Sequence, residues 1–388
     1  MKVLIDHQIF QNQKFGGISR YFFELMEGFR KSNVDFDLSL LYSNNEYIKG
    51  FENIQSESIH SAGYNDFLFG KEFRGKAFLY NQYKKTQPKV PSFRQQNLDH
   101  TISKLKKGDF DIFHTTYYDD YFLDHLNGKP FVITVYDLIH QIYPEYFPLN
   151  IVDKNYNILD KASKIIAISE STKNDLIDFY GLPAEKIDVT YLASSLDAGS
   201  EANNISNLPE KYILFVGNRT IYKNFYFFAE VLSRVLDNHP DIELVCTGSK
   251  FSKEEEFFIK KLGLQNRIKN YFVNDAELIM LYQKALFFAF PSMYEGFGIP
   301  ILEAYENDCP VLLARNSSLE EIGGDAAHYF SSKSIKSLEK SLEQLISNQH
   351  LRTTLIEKGK LRLQDFSWKK TTEQTIKIYK EAINAAQR

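Results

Sequence analysis

The chain has 388 residues, a length that favours two domains over one. Hydrophobic residues make up 43% and charged residues 25%, as in soluble globular proteins, and the net charge of −4 excludes a globally basic nucleic-acid binder while leaving room for a local basic patch. The two cysteines, Cys246 and Cys309, lie in the apolar runs LVCTG and DCPVLL, which excludes a disulfide framework and a cysteine-rich metal site. The amino terminus, MKVLIDHQIF, is too short and too polar for a signal peptide. No apolar run reaches the roughly 18 residues that a membrane span needs. The expected location is the cytoplasm, with contact to the inner face of a membrane left open.

Short apolar runs then alternate with helical patterns. KVLI (2–5), FVITV (131–135) and KIIAI (164–168) read as buried strands. After the first of them, Ile18, Tyr21, Phe22, Leu25, Met26 and Phe29 recur at steps of three and four, the stripe of an amphipathic helix. The stretch SSLDAGSEANNISNLPE (194–210) is rich in Ser and Asn and reads as a linker. Beyond it the rhythm resumes with YILFV (212–216), IELVC (242–246), LFFAF (286–290) and PVLL (310–313). The last segment, SWKKTTEQTIKIYKEAINAA, is one amphipathic helix with Ser367 as N-cap. This βαβ order predicts an α/β protein with two doubly wound Rossmann-like domains and a cleft between them. The expected division is 1–200, 201–366, and a terminal helix 367–388 that returns to the first domain.

The most informative string is YEGFGIPILEA, Tyr294 to Ala304. It follows the strand LFFAF, and Pro300 suits the first turn of a helix running from about Ile299 to Asn307. The N–H groups of Gly296 to Ile299 then emerge from a helix amino terminus at the carboxyl end of a strand, where anions bind. A carboxylate repels phosphate, so Glu295 and Glu303, on either side, should face hydroxyl groups. A sugar and a ribose flanking a diphosphate have that order. Two carboxylates at this spacing would, alone, read as solvated glutamates on a capped helix.

Taken whole, the string resembles the E-x7-E signature of family four retaining glycosyltransferases, which have the GT-B fold of two facing Rossmann domains. The resemblance runs from GGISRY to the final helix and is strongest across 270–330. It implies that Glu295 contacts the donor sugar, Glu303 the ribose hydroxyls, and the amides of Gly296, Phe297, Gly298 and Ile299 the diphosphate or sugar. QKFGGISRYFFEL (13–25) is similar to the family's GG-I-x-RY loop, which places Gly16 and Gly17 against the donor phosphates; Arg20 reads as an ion-pair former. In YILFVGNRTIYKN (212–224), Lys223 and Asn224 match an RKN-type ending whose cation neutralises the leaving diphosphate. Tyr222 departs from the Arg common there, and Arg219 is a candidate to supply that charge. The loop holding Phe272 and Val273 is implied to meet the base through its main chain.

In PFVITVYDLIHQIYPEYFP (130–148) the strand delivers Tyr136, Asp137 and His140. Many relatives carry His where Tyr136 stands, so His140 is a candidate replacement, and Asp137 and His140 join Glu295 as the catalytic set. His114, in DIFHTTYYDDYF, and Tyr136 are expected on the acceptor side. Ser317 and Ser318 read as helix caps or as lining of the nucleotide site. The two DFD strings, at 35–37 and 109–111, read as the beginnings of early strands, and no cluster has ligand spacing, so transfer without a metal and without a cofactor is expected. The segment 71–94 has seven Lys/Arg and one acid interleaved with aromatic residues, a candidate contact with anionic lipid. The expected activity is retaining transfer of a sugar from a GDP- or UDP-sugar to a glycan or lipid-linked acceptor in surface polysaccharide assembly. A nucleotide-sugar epimerase and a catalytically silent binding subunit are the alternatives.

Overall fold

The computed structural model describes residues 1–51, 54–55, 76–77, 79, 91–147, 156–196 and 205–387. Most of the basic stretch 71–94, with the lipid contact expected of it, lies outside these residues.

Two six-stranded sheets are described, and every described pairing between their strands is parallel. The first contains β1 (Lys2–Ile5), β2 (Asp35–Leu38), β3 (Ile112–Thr115), β4 (Phe131–Val135), β5 (Lys164–Ala167) and β6 (Ile187–Val189) in the order β2-β1-β3-β4-β5-β6. The second contains β7 (Tyr212–Phe215), β8 (Glu243–Thr247), β9 (Ile268–Tyr271), β10 (Phe287–Phe290), β11 (Val311–Ala314) and β12 (His328–Phe330) in the order β12-β11-β10-β7-β8-β9. Strands β4, β7, β10 and β11 are buried along their whole length, which is why their sequences are unbroken apolar runs instead of alternating ones. Both orders reverse direction beside their first strand, the doubly wound arrangement that collects loops at the carboxyl ends of the strands.

The chain forms two compact units. The first comprises Met1–Ile133, Asn157–Lys164 and Tyr379–Arg388, the second Thr134–Tyr156 and Ile165–Ile378. In the first, the helix Gly17–Lys31 buries Tyr21, Phe22, Leu25, Met26 and Phe29, the stripe read from the sequence except for Ile18, which is half-buried, and each such buried side chain contributes about 1.5–3 kcal/mol. Tyr379, on the final helix Trp368–Ala386, packs on Phe29 at 5.9 Å between ring centroids.

His114 belongs to this core and not to an acceptor site. It is fully buried, its Nδ1 lies 2.5 Å from the Tyr379 hydroxyl, and its ring meets Phe22 edge-on. Burial drives its pKa down to about 3 against the opposing pull of Asp6, so the imidazole is neutral at physiological pH. The sequence reading put it at a strand end. It lies inside β3, one residue short of that end.

Candidate functional site

The second unit brings most of the singled-out residues together. β10 ends at Phe290, and the loop that follows leads into the helix Ile299–Glu306, with Gly298 as N-cap in the left-handed region (φ 98°) and Pro300 in the first turn. The N–H groups of Gly296, Phe297, Gly298 and Ile299 find no acceptor among the described residues, although Gly296, Phe297 and Gly298 are buried. Buried donors without a partner are rare in folded proteins, and three of these four, at the start of a helix, are buried and remain open to a ligand's acceptors.

The carbonyls of the same loop are fully engaged. Ser318 Oγ reaches the Glu295 carbonyl at 2.8 Å and the Phe297 carbonyl at 3.1 Å. Ser169 Oγ donates to the Gly296 carbonyl at 2.7 Å, and Thr172 Oγ1 approaches it at 3.3 Å. The Glu295 N–H donates to Ser317 Oγ at 3.1 Å. Ser317 itself adopts φ 40°, a strained value for a residue with a Cβ.

A second segment closes on this loop. A Cβ added to Gly296 would stand 1.7 Å from the Tyr136 carbonyl oxygen and 3.0 Å from Asp137 Cβ, so only glycine fits. The Tyr294 hydroxyl donates to Asp175 at 2.6 Å and accepts the Leu138 N–H at 3.4 Å. Asp137 therefore sits beside the loop. Its carboxyl, accepting the Ile139 N–H at 3.0 Å, is pushed above the usual carboxylate range by burial, with Glu295 adding to the rise and His140 and Lys223 opposing it. His140 Nδ1 is buried without a hydrogen-bond partner among the described residues, and its ring stands edge-on to Phe147 at 4.0 Å.

The loop after β7 brings a lysine to the same place. The Met293 N–H donates to the Tyr222 carbonyl at 2.7 Å, which ties this loop to the one after β10. Lys223 Nζ then lies 2.6 Å from Glu295 Oε1, both side chains being mostly buried, and it stands over the rings of Tyr222 and Phe290 at 5.3 and 5.2 Å. Arg219, expected to lend charge to the donor, is instead committed to its own surroundings. It is buried, pairs with Glu255 at 2.7 Å, donates to the Ser249 carbonyl at 2.6 Å and covers the Phe251 ring.

Glu303 sits one turn into the helix, where its Oε2 accepts the Tyr282 hydroxyl at 3.0 Å. Phe272 and Val273 follow β9, three strands from β10 in the sheet; Phe272 is 89% exposed. In the first unit, Gly16 caps the helix Gly17–Lys31, and a Cβ there would strike Gln13 Oε1 at 2.2 Å. That oxygen accepts the Ser19 N–H at 3.2 Å, so part of the helix terminus is already capped by protein. Arg20 forms an ion pair with Glu24 at 3.8 Å. Among the described residues, no three His, Cys, Asp or Glu side chains gather as a metal site, and no helix is long and apolar enough to cross a membrane.

Residues 15–198 match the model of the family described as Glycosyltransferase Family 4, and residues 200–362 that described as Glycosyl transferases group 1. The chain belongs to glycosyltransferase family four. Among curated relatives, this glycosyltransferase is 28% identical over 265 residues to O-antigen chain mannosyltransferase B of Escherichia coli, covering 64% of the chain and 70% of the relative. It is 27% identical to O-antigen chain mannosyltransferase RfbU of Salmonella typhimurium, covering 53% of the chain and 60% of that relative. Among solved structures, a glycosyltransferase from Rickettsia africae superposes with a TM-score of 0.68 at 19% identity over 98% of both chains. Anabaena HepE in complex with UDP and glucose gives 0.67 at 16% identity over 98% of this chain and 100% of that one. These likenesses establish the GT-B fold of the glycosyltransferase, two Rossmann-like domains.

Sequence reasoning missed Ser169 and Thr172, which shape the loop, and the Tyr294–Asp175 pair; it named Ser318 but not the carbonyls that its buried hydroxyl engages. None recurs with a periodicity, and each meets its partner across 21 or more residues of chain.

Proposed function

We propose that this glycosyltransferase moves a sugar, with retention of its anomeric configuration and without a metal ion, from a GDP- or UDP-sugar to a glycan or lipid-linked acceptor in surface polysaccharide assembly. The observation that carries the reading is the run of four unengaged amides from Gly296 to Ile299, set between the Glu295 carboxylate and the helix bearing Glu303. Amide donors and a lysine suit a diphosphate, and carboxylates suit hydroxyls. In the structure, Lys223 and Glu295 satisfy one another. With donor, Lys223 would turn to the diphosphate and stabilise the charge that grows as the glycosidic bond breaks, while Glu295 would hold the sugar. Glu303 would accept from the ribose. The O-antigen mannosyltransferase relatives and the UDP and glucose complex of a structural neighbour support the donor class and the pathway class.

The test is a thermal-shift screen of nucleoside diphosphates and their sugars, followed by NMR of the product's anomeric centre. A shift with GDP or UDP and a retained anomer are expected. No shift with any nucleotide, or an inverted anomer, would overturn the reading. Activity that survives chelation is expected; a strict requirement for added Mg²⁺ or Mn²⁺ would remove the metal-free part.

A further inference from the structure

The donor loop owes the direction of its amides to residues that do not face the donor. A trans peptide points its C=O and the following N–H in opposite directions. Fixing the carbonyl of Glu295 therefore fixes the N–H of Gly296, and fixing the carbonyl of Phe297 fixes the N–H of Gly298. One hydroxyl, that of Ser318, engages both carbonyls, at 2.8 and 3.1 Å. Ser318 is fully buried. It lies in the first turn of the helix Ser317–Gly323, whose N-cap, Asn316, makes no side-chain cap bond. The Ser318 side chain does not cap this helix either, since its hydrogen bonds go to the donor loop.

Glycine is the residue whose backbone most needs such a restraint. Gly296 and Gly298 have no side chains to hold them in place, and Gly298 stands in the left-handed region at φ 98°. Without the hydroxyl, two carbonyls lose a partner at once, and the peptide planes on both sides of Phe297 gain freedom to rotate. The donor would then have to order them on binding, which lowers affinity.

We propose that Ser318 is a positioning residue of the donor site, turning the Gly296 and Gly298 N–H groups to the side of the loop opposite its own hydroxyl, where they take the diphosphate or the sugar attached to it. The inference rests on the donor reading given above. It predicts that Ser318 acts on the phosphate and sugar end of the ligand and leaves the nucleoside end alone.

The test compares GDP and UDP with guanosine and uridine by calorimetry on the full chain, for wild type, Ser318→Ala and Ser318→Thr. For the diphosphate the wild type prefers, Ser318→Ala is expected to weaken binding about tenfold, the loss of a little more than one net hydrogen bond. Affinity for the matching nucleoside should stay within about twofold, because the donor reading assigns these amides to the diphosphate and sugar and not to the base. Ser318→Thr keeps the donor hydroxyl and is expected to restore the preference for diphosphate. An alanine variant with the wild-type preference would overturn the proposal. So would equal loss of diphosphate and nucleoside, which would mark a general distortion, or a threonine variant that behaves like alanine. A wild-type protein that binds no nucleotide would sink the donor reading and this inference with it.

Discussion

A single methyl group at residue 296 has nowhere to go. Its 1.7 Å approach to the Tyr136 carbonyl forces the loop, the segment Tyr136–Leu138, or both to move. Gly296→Ala is expected to lower stability by about 2 kcal/mol or more in urea unfolding and to abolish transfer. Gly17→Ala makes the contrast, because nothing lies within 4 Å of the added Cβ. Its stability should stay within about 0.5 kcal/mol of wild type, so a fall in activity there would report ligand approach and not folding. Both glycines stood out in the sequence; only the structure separates the one that packs from the one that is open.

Two titrating residues make predictions of opposite sign. His114 has its folded pKa lowered from 6.5 to about 3, so between those values the unfolded chain binds the extra proton and stability falls as pH falls. His114→Gln should flatten that acid limb of the melting-temperature profile; an unchanged limb would mean that another group carries it. Asp137 has its folded pKa raised, so its ionised form costs stability above that pKa, and the cost fades as pH falls through the carboxylate range. Asp137→Asn should melt higher than wild type at neutral pH, with the advantage shrinking on acidification, while transfer is impaired. Asp137 was legible from the sequence by its place after a strand. The core position of His114 was not, because a histidine at a strand terminus and one just inside it differ by a single residue of register.

At the scale of elements, the loop between β10 and the helix Ile299–Glu306 is shaped by its neighbours more than by its own residues. The strand runs, the glycine cap and Pro300 were all visible in the sequence, and the helix ends one residue before the expected Asn307. Its supports were invisible, since Asp175 and Ser169 lie more than a hundred residues away in sequence. The partners of Arg219 were invisible for the same reason: the capping box at Ser252 and Glu255 that engages the guanidinium lies on a helix that its own loop does not announce. Tyr294→Phe removes the bond to Asp175 and the acceptor for the Leu138 N–H, and leaves a partly buried carboxyl without its donor. A stability loss of about 1–3 kcal/mol is expected, with kcat falling more than the donor affinity. Equal kinetics for both proteins would show that the clamp between Tyr294 and the segment after β4 does not matter to the chemistry.

At the scale of the whole molecule, ligand binding and stability are one equilibrium. Donor held at a hundred times its Kd should add about 2.7 kcal/mol to unfolding of whatever part binds it. Glu303→Ala should lose about ten- to a hundredfold in donor affinity, from hydrogen bonds worth roughly 1.5–3 kcal/mol, and lose that stabilisation at fixed donor concentration. Unchanged binding would remove Glu303 from the site. The two sheets were readable because parallel strands buried on both faces leave unbroken apolar runs. The exposed, short or mixed strands β2, β6, β9 and β12 leave no such trace.

The pairing of Lys223 with Glu295, beside an Asp137 that holds its proton more tightly than an ordinary carboxyl, also has a thermochemical consequence. A diphosphate arriving at Lys223 brings negative charge into a cluster where burial and Glu295 already disfavour a second anion. The cluster's affinity for protons must rise, so binding should draw hydrogen ions from solution. Calorimetry in buffers of different ionisation enthalpy would register that uptake as a buffer-dependent heat, and Asp137→Asn should diminish it.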